Sequence, residues 1–174
     1  MDDWIRRIEP KIGYYIAGFT DGEGSFNVSL KKREDYSDKW KITASFNISQ
    51  KDRVILAKIK QILGCGTLRE RKDGVVYYEV TNLNSLQERI IPFFERFNFI
   101  SANKKRNFSI FQKIVNKMAH SEHLDRNGFL EIVKLRETLN EGRGRKRKYQ
   151  LSDVCSKEGS SETIRKTPQK AEMI

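Results

Sequence analysis

Cysteine is nearly absent from the chain, which has only Cys65 and Cys155. Two distant thiols build neither a disulfide framework nor a CxxC metal site, and that fits a reducing compartment. Cys65 lies between Gly64 and Gly66 and reads as a turn residue rather than a nucleophile. Histidine is equally scarce. His120 and His123 have a spacing that could hold a metal, but they lack a third ligand nearby and read as surface residues. Long apolar runs are missing too, so no segment reads as a membrane span, and the start Met1-Asp2-Asp3-Trp4 lacks the basic and apolar regions of a secretion signal. Acidic side chains are in deficit, 23 against 34 Lys and Arg, for a formal net charge of +11. Such a balance calls for an anionic partner, nucleic acid before a membrane surface, and nothing in it points to a small-molecule substrate.

What is present organises around residues 14–26, Tyr14-Tyr15-Ile16-Ala17-Gly18-Phe19-Thr20-Asp21-Gly22-Glu23-Gly24-Ser25-Phe26. On a helical wheel Ile12, Tyr15, Ile16 and Phe19 form a stripe expected to face the core. Gly13, Ala17, Gly18 and Asp21 lie on the other side. Glycine inside a helix costs about 1 kcal/mol relative to alanine, so this small face is expected to admit a second helix at close range. Residues 25–33 and 40–48 then alternate as two long strands. Phe26, Val28, Leu30, Trp40, Ile42, Ala44, Phe46 and Ile48 fall on one face, and Asn27, Ser29, Lys31, Arg33, Lys41, Thr43, Ser45 and Asn47 on the other.

Residues 51–63 carry the helical pattern Val54, Ile55, Ile59, Ile62, Leu63 and stop at Gly64-Cys65-Gly66. A second hairpin is expected over 67–81 with its turn at Asp73-Gly74. It would add Arg69, Arg71, Tyr77 and Glu79 to the polar face, and Val76, Tyr78 and Val80 to the core. Helices follow at about 85–97, kinked or bounded at Pro92, then 102–118 and 127–139. The order is α+β, αββαββα, a four-stranded antiparallel sheet backed by helices. Charged and amide side chains on adjacent strands are what base-edge reading in a major groove requires. One domain is expected over 1–140, and an extended or partly disordered tail over 141–174. In that tail Arg143, Arg145, Lys146, Arg147 and Lys148 cluster as candidate phosphate contacts.

Residues 16–24, IAGFTDGEG, resemble the signature of the LAGLIDADG homing endonucleases, and the element order over about 10–140 agrees. The resemblance implies a sheet lying in the DNA major groove and site-specific cleavage of a long target, leaving short 3′ overhangs. Glu23, beside Gly22, takes the position of the acid that binds a divalent metal, for which Mg²⁺ suits oxygen ligands. Gln50 takes a position that orients water, and a lysine at the start of the helix after the second hairpin belongs to the site. Lys104 and Lys105 both stand there, with Lys104 favoured. Asp21 is expected to hold the helix end rather than ligate metal. A single signature copy implies a homodimer on double-stranded, pseudo-palindromic DNA, meeting through Gly13, Ala17, Gly18 and Asp21. An intron-encoded protein of bacterial cytoplasm or an organelle is the setting implied. An intron RNA maturase and a non-cleaving DNA-binding regulator are the alternatives.

Overall fold

The computed structural model describes residues 4–33, 35, 39–140 and 147–155. Helix α1 (Pro10–Glu23) starts on a proline, whose fixed φ suits the first turn and whose missing N–H goes unmissed there. At its other end Gly24 is already extended while its N–H still donates to Thr20 O, so the chain passes from helix to strand without a loop. Only glycine fits at that junction: a Cβ on Gly24 would lie 2.4 Å from Thr20 Cγ2 and 2.8 Å from Thr20 O.

Strands β1 (Gly24–Lys32) and β2 (Trp40–Gln50) pair antiparallel from Gly24↔Ile48 to Lys32↔Trp40, and their alternate residues are buried as the pattern requires. Helix α2 (Arg53–Leu63) follows, N-capped by Asp52, whose carboxylate accepts from Val54 N. It buries Leu56, Ile59 and Leu63, whereas Val54, expected on its inner stripe, is exposed. Strands β3 (Thr67–Glu70) and β4 (Val76–Val80) form the second hairpin. β4 pairs with the free side of β2, so the sheet order is β1-β2-β4-β3. This is the four-stranded antiparallel sheet expected.

Helix α3 runs over residues 83–96 as Leu83–Ser85, a π-helical turn Leu86–Ile90 and Ile91–Arg96. Pro92 does not end it; the widened turn just before absorbs the missing N–H and the ring. Helix α4 (Ala102–Ala119) is N-capped by Ser101 and helix α5 (Arg126–Thr138) by Asp125. These helices cover the apolar sheet face with an aromatic core. The Phe26 ring lies 5.3 Å from Phe46, 5.0 Å from Phe111 and 5.8 Å from Phe94, the last edge-on. Each such ring contributes about 1.5–3 kcal/mol by burial, and edge-on pairs add about 0.5–1.5.

Two expectations need correcting. On α1 the inner face is Gly13, Ile16, Ala17 and Thr20, while Tyr15 is 54% exposed and Ile12 36%. The helix is apolar on most sides, so periodicity alone does not choose the buried one; the Phe97 ring does, because it occupies the notch that Gly13 leaves. Gly13 and Ala17 are therefore packed inside their own chain and not on an outer face. The body of the domain also runs past residue 140. Segment 147–155, ending in the short helix α6 (Leu151–Cys155), straps back onto α5. Val154 is 1% exposed, Tyr149 packs edge-on against Trp40 at 4.9 Å, and Arg126 donates to Val154 O. The candidate phosphate contacts Arg143, Arg145 and Lys146 lie outside the described residues.

Candidate active site and nucleic-acid interface

The solvent side of the sheet is a continuous polar surface whose rows are set by register. Ser25, Asn47, Glu79 and Thr67 stand side by side across all four strands. Asn27 and Ser45, then Ser29 and Thr43, then Lys31 and Lys41 follow along the first hairpin. Ser49, Tyr77 and Arg69 form a row on the other side of the first. Rows two residues apart are about 6.8 Å apart, so the face presents donors and acceptors at graded distances from the start of β1. Side chains here are loosely tethered. Asn27 Nδ2 donates to Ser25 Oγ at 3.1 Å, Arg71 to the Tyr77 hydroxyl at 2.9 Å, and Arg69 stands 3.9 Å from Glu79. Arg33 forks onto Asp35 at 2.8 and 2.7 Å, which holds that carboxyl down at about 2. All twelve residues expected on this face are on it or at its margin.

At the start of β1 the fold brings the implied catalytic residues to one edge. Glu23 closes α1 and is exposed, with no hydrogen bond or ion pair among the described residues. The pair Gly24↔Ile48 puts Gln50 just past it on the neighbouring strand. Gln50 Oε1 accepts from Lys51 N at 2.7 Å, so the group it offers outward is its amide NH₂. The two candidate lysines are placed differently. Lys104 Nζ donates to Gly24 O at 2.5 Å, one residue from Glu23, while Lys105 is turned to solvent.

Asp21 is half-buried, and its carboxylate is engaged within its own chain. Its carboxylate accepts from Ser101 N at 3.0 Å and from Ser101 Oγ, while that Oγ accepts from Lys104 N at 3.2 Å. Burial alone would lift the Asp21 pKa, but the Ser101 hydrogen bonds and the Lys104 charge hold it below its ordinary 3.8. A closed ring results: Asp21 holds Ser101, Ser101 caps α4, and α4 delivers Lys104 to Gly24. Sequence reasoning missed Ser101, although a serine three residues before Lys104 at a helix start is an N-cap signal.

Of the other candidates, Gly18 and Gly22 are exposed on α1 beside Ile12 and Tyr15, with Tyr15 and Phe19 stacked at 6.2 Å. Arg147 does not offer itself to phosphate. Its guanidinium donates to the carbonyls of Arg136, Glu137 and Leu139 at the end of α5. Lys148 is exposed near Tyr149. His120 bonds the Asn116 carbonyl at 2.8 Å, and burial lowers the pKa of His123. Cys65 sits in its turn beside the Tyr78 hydroxyl, its thiol pushed up by burial.

Among the described residues no three His, Cys, Asp or Glu side chains gather into a metal cage. The exposed Glu23 carboxylate, next to the Lys104–Gly24 contact, would suit a hard, well-hydrated cation. No described helix is long and apolar enough to cross a membrane.

The family model described as LAGLIDADG endonuclease matches residues 16–115. The probable intron-encoded endonuclease 2 of Neurospora crassa is 36% identical over 132 residues, which are 74% of this chain and 29% of that protein. The chain spans 29–60% of the length of the first curated relatives it matches. Among solved structures, the archaeal intron-encoded homing endonuclease I-Vdi141I complexed with DNA is 37% identical, with a TM-score of 0.80 over 86% of this chain and 95% of that one. I-SmaMI bound to an uncleaved DNA target in the presence of calcium ions is 27% identical, with a TM-score of 0.74 over 87% of this chain and 50% of that one.

Proposed function

Because the chain belongs to the LAGLIDADG endonuclease family, we propose that it is an intron-encoded, site-specific endonuclease that cuts double-stranded DNA as a homodimer with Mg²⁺. The observation that carries this is the meeting of Glu23, Gln50 and Lys104 at one end of a polar, basic sheet face. The face reads bases; the end of α1 reaches the phosphodiester. Exposed Ile12, Tyr14, Tyr15 and Gly18, with half-buried Phe19 beside them, support the dimer, because an apolar stripe on a water-facing helix is the kind of surface a second copy covers. A two-fold axis beside α1 then sets two Glu23 carboxylates near each other, one for each strand.

Glu23 would hold the cation through its exposed carboxylate. When bound, such an ion would supply Lewis-acid activation of water and stabilisation of the leaving oxygen. Gln50, with its oxygen tied back to Lys51 N, donates its NH₂ to the attacking water or a phosphate oxygen. Lys104, fixed on Gly24 O, brings positive charge to the phosphate as negative charge grows there. The ring through Asp21 and Ser101 holds Lys104 in reach without entering the chemistry.

Glu23→Gln tests the reading. It nearly preserves volume and hydrogen-bonding reach but removes the charge a hard cation needs. A nicking and cleavage assay run beside a binding assay on one duplex should show binding kept and cleavage lost by orders of magnitude. Cutting at the wild-type rate would mean that Glu23 holds no metal and that the mechanism fails.

A further inference from the structure

The outer edge of β1 pairs with no strand among the described residues, yet two successive outward carbonyls in its middle are occupied. Asn140 Nδ2 donates to Phe26 O at 2.7 Å, and Arg136 Nε donates to Val28 O at 2.9 Å. Each donor is fixed from behind. Asn140 stands just past α5 in the left-handed conformation (φ 55°), and its backbone N donates to Asn107 Oδ1 at 3.0 Å. Asn107 is 7% exposed and in turn donates to Asn103 Oδ1. Arg136 is 5% exposed and also donates to Tyr149 O and Glu137. Burying a guanidinium costs several kcal/mol unless its donors are used, and the Arg136 Nε donor is used on this strand.

On the opposite face of the same strand, between and beside these carbonyls, are Asn27 and Ser29. A strand held on one side only by its ladder to β2 can roll about its axis, and every outward side chain rolls with it. A second row of hydrogen bonds along the free side removes that freedom. We propose that Asn140 and Arg136 are positioning residues for sequence reading, holding β1 at the roll that aims Asn27 and Ser29 at base edges. This rests on the reading of the sheet as the DNA-recognition face. The other edge strand, β3, touches none of these donors, so Arg69 is a control within the same molecule.

The test uses the duplex that wild-type protein selects and cuts from a randomised library, with base preference profiled at each position. Asn27→Ala and Ser29→Ala mark the base pairs read from β1, and Arg69→Ala marks those read from β3. Asn140→Gly keeps the left-handed backbone and the N–H to Asn107 but removes the donor to Phe26 O. Its discrimination should fall about three- to tenfold at the β1 base pairs and hold at the β3 ones, a part of the roughly 5- to 150-fold that one good side-chain-to-base pair confers. Arg136→Lys, which cannot reproduce the Nε–H geometry, should act at the same base pairs. Melting is followed alongside, because simple destabilisation weakens all positions together. A uniform loss, or an unchanged profile in both variants, overturns the proposal. A wild-type protein that selects no sequence at all would instead overturn the DNA reading beneath it.

Discussion

Adding one methyl group to α1 at either of two glycines should have opposite effects. At Gly13 a new Cβ would stand 2.3, 2.4 and 2.5 Å from three atoms of the Phe97 ring. Ordinary carbon contacts are about 3.5–4.0 Å, so the ring would have to retreat by about 1.2 Å or more. It has little room. Phe97 is 1% exposed, with Phe93 at 5.0 Å and Tyr14 edge-on at 5.4 Å. Overpacking of this kind costs about 1–3 kcal/mol, and so large an overlap belongs at the upper end. Replacing glycine by alanine in a helix returns about 1 kcal/mol. Gly13→Ala should therefore lose about 1–2 kcal/mol. Gly18 has nothing within 4 Å of its would-be Cβ, so Gly18→Ala in the single chain should gain about 1 kcal/mol. At this size 1 kcal/mol moves the melting midpoint by about 2–4 °C, so the two variants should separate by about 5–10 °C. Urea unfolding at several protein concentrations is the assay. The Gly18→Ala gain should be full at high dilution and shrink as concentration rises, because the methyl then meets a second copy. A Gly13 variant as stable as the Gly18 one at high dilution would show that Phe97 is not pinned, and the assignment of α1's inner face would fall.

Three more expectations follow from single contacts. Arg69→Ala should cost about 1–3 kcal/mol at one base pair per half-site, measured by binding to single-substituted duplexes; an equal loss on every sequence would make it a phosphate contact. Asp21 has a folded pKa below its unfolded 3.8, so its contribution is present above that value and lost as pH falls through the folded one. Asp21→Asn should flatten the acid limb of a stability–pH curve below about pH 4, and an unaltered limb would refute the tie to Ser101. Ending the chain after Lys146 removes Val154 and the Tyr149–Trp40 contact and should cost about 2–4 kcal/mol in urea unfolding, whereas an unchanged midpoint would show that the strap braces nothing.

Strand alternation in β1 and β2 was legible because a two-residue period with one face apolar has a single solution. The candidate catalytic edge was read from the resemblance, which picked out Glu23 and Gln50; the observed register, Gly24↔Ile48, sets the ends of α1 and β2 beside each other. The inner face of α1 was not legible, since Ile12, Tyr15, Ile16 and Phe19 satisfy the same period as the true inner set. Only the distant Phe97 decides between them. Nor was the strap: Arg147 sits in a run of basic residues, and its use on carbonyls depends on where α5 ends. Asn140 and Arg136 act across more than a hundred residues of chain, on backbone atoms that no side-chain pattern records.

Both margins of the sheet are finished surfaces. On β1 the carbonyls of Gly24, Phe26 and Val28 are taken by Lys104, Asn140 and Arg136; β3 is four residues long and ends in Arg69 and Glu70. A sheet with such borders does not accept a stray strand, whether from a misfolded neighbour or from an insertion in its own gene. Under the homodimer proposed above, the architecture grows by repeating itself whole and joining the copies along α1. A protein of twice the length made by tandem fusion would keep every border intact.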